Sequence, residues 1–80
     1  MHGSRWMGVS SLNRIPVSSS NLRSVGYDPK TRVLEIEFHS GGIYRYSGVP
    51  ESEYNALMNA TSKGSYFAHN IKNNYSTRRV

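Results

Sequence analysis

Leu34-Glu35-Ile36-Glu37-Phe38-His39-Ser40-Gly41-Gly42-Ile43-Tyr44-Arg45-Tyr46 is the stretch that decides the fold. On its first arm, apolar Leu34, Ile36 and Phe38 alternate with Glu35 and Glu37. Residues two apart on a strand point to the same face, so this arm reads as a half-buried strand. Beyond the turn residues, Tyr44 and Tyr46 are again two apart and Arg45 lies between them. The two rings share one face and the guanidinium takes the other. Such an aromatic platform is either a surface on which bases stack or one half of a hydrophobic core.

Register separates these readings, because a one-residue slip flips a whole strand. With Ser40, Gly41 and Gly42 as a three-residue loop, His39 faces Ile43, Phe38 faces Tyr44 and Ile36 faces Tyr46. Leu34, Ile36, Phe38, Tyr44 and Tyr46 then share a side. Glu37 meets Arg45 on the other side, an opposite-charge pair worth roughly 0.2–1 kcal/mol. A two-residue Gly41-Gly42 loop would instead set Glu37 against Tyr46 and Phe38 against Arg45, mixing polar and apolar on both faces. The three-residue loop is therefore expected, with a glycine supplying its left-handed residue. It turns both rings toward the core, while their hydroxyls can still reach the sheet edge.

Working outward, Leu22–Tyr27 reads as a strand. Asp28-Pro29-Lys30-Thr31 has the chemistry of a type I turn and brings Val25 opposite Leu34. Arg32–Phe38 is the second strand and Ile43–Ser47 the third. Pro50 suits a first helical position, and Glu51 and Glu53 suit the positive helix start. Tyr54, Leu57 and Met58 form one apolar stripe. Thr61–Ser65 interrupts the pattern and offers Ser62 or Ser65 as an N-cap. Tyr66, Phe67 and Ile71 make a second short helical face, ended by Asn73-Asn74. The expected fold is α+β: a three-stranded antiparallel β-meander followed by two short helices packed on one face. Residues 1–14 read as a disordered leader or cloning remnant. Residues 15–80 read as a single domain, with Ile15-Pro16-Val17 as an edge segment and Ser76–Val80 as a short basic tail.

The chain has 80 residues, enough for one domain with a foldable part of about 55–60 residues. A domain that small has no room for a large catalytic cavity beside its core, so no enzyme is expected. There is no cysteine, which excludes a disulfide framework and Cys-rich zinc sites and fits a reducing, cytoplasmic setting. No run of 18 apolar residues predicts a membrane span. Ten Lys and Arg against five Asp and Glu give a net charge of +5, which favours an acidic partner such as nucleic acid.

Three groups of residues are candidates for contact. Ser62-Lys63-Gly64-Ser65, ahead of the second helix, can hold an anion or act as an ordinary cap; it lacks the spacing of a phosphate-binding P-loop. Lys72, Arg78 and Arg79 concentrate positive charge near the C-terminus. Tyr44 and Tyr46 complete the set. Glu35 and Glu37 read as a solvated face. His2, His39 and His69 are scattered, so neither a metal nor a cofactor is expected.

Several segments together resemble the KTSC domain, a small module named for the C-terminus of some lysyl-tRNA synthetases. These are Ser20–Asp28, Leu34–Phe38, Gly42–Tyr46, Val49-Pro50 and Ser62–Phe67. The family's Tyr-x-Tyr mark is matched by Tyr44 and Tyr46. The likeness covers about residues 15–80 and implies a small bacterial or phage protein. Attachment to a tRNA synthetase implies RNA as a partner; no catalytic residues carry over. The expected function is a non-catalytic binding module for RNA or another nucleic acid, contacting phosphates through Lys63, Lys72, Arg78 and Arg79. The alternative is a protein–protein interaction module. Monomer or weak homodimer is expected.

Overall fold

The structure, a computed structural model, describes residues 12–80. The leader expected over residues 1–14 falls outside the described residues up to residue 11. One antiparallel sheet runs in the order β1-β2-β3-β4-β5, with every strand beside its sequence neighbour. The strands are β1 (Ile15–Pro16), β2 (Leu22–Asp28), β3 (Val33–Phe38), β4 (Ile43–Ser47) and β5 (Ser76–Arg79). Between β4 and β5 come α1 (Glu51–Asn59) and α2 (Lys63–Tyr66), the latter continuing as a π-helical segment over Phe67–Ile71.

The sheet thus has five strands rather than three. The expected edge segment is β1, whose Ile15 pairs with Val25. The expected basic tail is β5, which pairs along β4 with Tyr46 opposite Thr77 and Tyr44 opposite Arg79. All four β5 residues are exposed, so no buried alternation announces the strand. Backbone pairing to a ready edge holds it there.

Both central pairings are displaced by two residues from expectation. Ile36 faces Tyr44, Leu34 faces Tyr46 and Glu35 faces Arg45. Val25 faces Ile36. A two-residue displacement keeps every side chain on its expected face, which is why alternation cannot detect it. The turns decide. His39–Gly41 form the β3–β4 loop, closed by Phe38 N–H to Gly42 O at 2.9 Å and Gly41 N–H to Phe38 O at 2.9 Å. Gly41 takes φ +110°, where a side chain is strained. Gly42 is needed for a different reason: a Cβ there would lie 2.6 Å from Tyr44 Cε1. In the first hairpin, Asp28 Oδ1 accepts from Lys30 N–H at 2.9 Å and Arg32 adopts φ 58°. The loop is thereby Pro29–Arg32, with Asp28 opposite Val33.

The core lies between the sheet and the helices. Leu22, Val25, Leu34, Ile36, Tyr46, Val49, Leu57, Phe67 and Ile71 are its buried members. Each aliphatic side chain contributes about 1.5–3 kcal/mol by leaving water. Leu22 and Val25 are an odd number of residues apart yet share this core, because a bulge between Leu22 and Ser24 resets the alternation. Glu51 and Glu53 occupy the first turn of α1, where carboxylates suit the helix dipole. Ala60 leaves helical geometry and ends it. Tyr54, stacked on Tyr27 with ring centroids 4.8 Å apart, pins the helix to the sheet.

The outer face is not a solvated carboxylate row. Glu35 and Arg45 are buried there, and Arg45 Nε donates to Glu35 Oε1 at 2.6 Å. Arg14 reaches the second oxygen of Glu35, and its Nε donates to Ser24 Oγ at 3.0 Å. Ser24 Oγ in turn donates to Glu37 Oε1 at 2.9 Å. Gly26 lets the segment before β1 cross this face, since a Cβ there would meet Asn13 O at 2.9 Å. Among the described residues, no helix is long and apolar enough to cross a membrane.

Candidate nucleic-acid interface

At the end of the sheet that carries the His39–Gly41 loop, a cleft of about 670 Å³ opens between the sheet and the second helix. Phe38, Tyr44, Tyr46 and Phe67 form its apolar floor. Its polar rim brings Asn21 and His39 together with Lys72 and Thr77. The chain's five carboxylates are Asp28, Glu35, Glu37, Glu51 and Glu53, and none of them lines this cleft.

The two tyrosines play different parts. Tyr46 is buried, and Phe67 meets its ring edge-on at 5.5 Å. Burial, reinforced by neighbouring Tyr44, pushes its pKa up to about 12, so the hydroxyl remains a hydrogen-bond donor at neutral pH. Tyr44 is half-buried and hemmed in. Phe38 packs against its ring at 5.7 Å, the Gly42 backbone lies close to Cε1, and the Arg79 guanidinium sits 5.8 Å from its centroid. With these contacts the ring forms part of the cleft lining.

The structure divides the other candidates. Lys72, exposed on the turn that ends the second helix, lines the cleft. Arg79 shares the Tyr44 face of the sheet, while Arg78 lies opposite Arg45 on the other face. Strand alternation therefore separates two adjacent arginines that a tail would leave together. Ser62 is the N-cap, its Oγ accepting from Ser65 N–H at 3.3 Å. Lys63 Nζ donates to Ala60 O at 3.3 Å and lies in a neighbouring cleft. Gly64 lines the main cleft and backs onto Asn21.

His39 belongs to the rim although its sequence position shows only an isolated histidine. Its Nε2 donates to Ser19 O at 2.9 Å, tying the β3–β4 loop to the segment before β2. Asn21 and Thr77 also come to the rim from distant positions. Their nearest sequence signal is a turn and a tail, neither of which names a neighbour. Behind the cleft, Glu53 accepts hydrogen bonds from Tyr66 and, at 2.8 Å, from Tyr75. Tyr75 immediately precedes β5, so this carboxylate moors the strand that forms one wall. Burial, then the bond to Glu53, raise the Tyr75 pKa to about 12.

A five-stranded antiparallel meander backed by two short helices, with a cleft at one end, defines a small α+β domain. The sequence pattern of the KTSC domain matches residues 18–75, and the chain belongs to the KTSC family. A crystal structure of a KTSC domain protein from Yersinia pestis superposes with a TM-score of 0.85 at 46% identity, covering 88% of this chain and 99% of that one. An uncharacterised protein of Stutzerimonas stutzeri is 48% identical over 56 residues, 70% of this chain and 79% of that protein. A lysine–tRNA ligase of Nostoc punctiforme is 43% identical over 61 residues, which span 76% of this chain and 11% of the ligase. Arg14 and β5 lie outside the matched span.

Proposed function

We propose that the domain is a non-catalytic binding module for RNA or another nucleic acid, and that the main cleft is where it grips the strand. One observation carries the reading: Lys72 and Arg79 stand beside a cleft that no carboxylate lines. The charged side chains at the cleft are cationic, which favours a phosphate-bearing ligand. The cleft is also within the roughly 300–1,000 Å³ range of small-ligand sites, room for one nucleotide unit. Tyr44 and Tyr46 offer hydroxyl edges to sugar and phosphate, so sequence preference is weak. Acting on RNA, the domain works in the cytoplasm. The occurrence of a similar segment within lysine–tRNA ligases supports RNA as the polymer.

Salt titration tests the reading. Affinity for single-stranded RNA, followed by fluorescence anisotropy, is expected to fall linearly on a log–log plot with a slope set by the phosphates engaged. Absence of binding at low salt to single-stranded, duplex and transfer RNA overturns it. A protein captured from host lysate that survives nuclease would instead favour a protein-interaction module.

A further inference from the structure

Beside the main cleft lies a second one of about 380 Å³, lined by Ser18, Ser19, Ser20, Thr61, Ser62 and Lys63. Ser20 lines both. Lys63 and Gly64 likewise straddle the divide, one on each side. At this divide Gly64 has no side chain, and a Cβ there would lie 2.9 Å from Asn21 Nδ2. Asn21 thus packs against the buried Gly64, and the two clefts adjoin at Ser20. We infer that they form one track, with the second cleft taking the phosphate group next to the nucleotide unit held in the first.

The chemistry of the second cleft fits that ligand. Five of its six lining residues carry hydroxyls, the sixth is a lysine, and none is acidic. Two of the hydroxyls are oriented by the backbone. Ser19 Oγ accepts from the N–H groups of Asn21 and Leu22, both at 3.2 Å. Ser62 Oγ accepts from Ser65 N–H. An oxygen whose lone pairs face backbone donors has its own proton left to give, so Ser19 and Ser62 are donors toward a ligand. Lys63 spends one proton on Ala60 O and keeps two. A donor-rich, acceptor-poor surface suits phosphate oxygens, which only accept. The lining comes from two separate chain segments, so the site does not rest on the short helix that follows it.

This inference rests on the proposed nucleic-acid function but fails separately from it. Isothermal titration at low salt would compare uridine monophosphate with oligouridylates of two and four nucleotides. The native chain is expected to bind the dinucleotide about tenfold more tightly than the monophosphate, the gain of one charge-assisted phosphate contact. Lys63→Ala is expected to remove that gain and leave monophosphate affinity unchanged, whereas Lys72→Ala weakens both. Amide shifts at Ser19, Ser20 and Thr61 are expected with the dinucleotide and not the monophosphate. A monophosphate that binds with no gain on lengthening overturns the track and spares the main cleft. So does a Lys63→Ala loss that is equal for both ligands. Failure of every ligand to bind overturns both proposals.

Discussion

Glu35 and Arg45 face each other across β3 and β4 on the side of the sheet away from the helices, joined at 2.6 Å. Both are buried, and Arg14 closes the second carboxylate oxygen. An ion pair held this way has given up its hydration, so losing one partner leaves the other charge stranded. Glu35→Gln is expected to destabilise the fold by about 3–5 kcal/mol. Arg14 keeps 29% of its side-chain surface exposed, and Arg14→Ala is expected to cost nearer ~1 kcal/mol. Urea denaturation of the two variants checks the order; equal losses would contradict it.

The two glycines of the β3–β4 loop are required for separate reasons. Gly41 holds φ +110° with open space around it, so Gly41→Ala strains only backbone and is expected to cost about 1–3 kcal/mol while leaving ligand affinity intact. Gly42→Ala drives a methyl group against the Tyr44 ring. It is expected to shift the Tyr44 ring resonances and weaken RNA binding. Melting curves read beside binding isotherms distinguish the pair, and identical profiles for both variants would refute the assignment.

Alkaline pH is expected to loosen the fold. Tyr46 and Tyr75 titrate near 12 in the folded chain, against an ordinary value of 10.0. A raised pKa means the folded state holds its proton more tightly. That contribution is fully present below pH 10 and is lost as pH climbs through about 12. Unfolding midpoints in urea should fall across this window. Tyr46→Phe and Tyr75→Phe should each flatten the fall, and an unchanged slope in both would rule out these two groups as its source.

Lys72→Ala and Arg79→Ala are each expected to weaken RNA binding and to reduce the magnitude of the salt slope by about one. Lys30, in the hairpin loop at the opposite end of the strands, serves as the control. A Lys30→Ala effect as large as these would mean that net charge, and not the cleft, governs binding.

Removing residues 76–80 takes away β5, the Thr77 wall and Arg79 together. Affinity for RNA is expected to drop and the uncovered β4 edge to promote self-association. Analytical ultracentrifugation and anisotropy on the shortened chain check both; unchanged affinity would remove β5 from the site.

Much of this architecture is legible along the chain. The alternation from Leu34 to Phe38 and the spacing of Tyr44 and Tyr46 determine which side chains share a face. Tyr54, Leu57 and Met58 mark the first helix, and Ser62 or Ser65 the cap of its successor, which the structure assigns to Ser62. These are local signals, written in periods of two and 3.6 residues. What they leave undetermined is what periodicity cannot carry. Only the tertiary structure decided between pairings that differ by two residues, because both keep every face intact. Only it placed the exposed residues of β5 on the β4 edge, sending Arg79 over Tyr44 and Arg78 to the far face. Burial of Glu35 likewise depends on Arg14 arriving from 21 positions away. The cleft is of the same kind. Its aromatic floor is written in the Tyr-x-Tyr spacing, but its rim joins Asn21, His39, Lys72 and Thr77, which become neighbours only when the sheet and the second helix pack together.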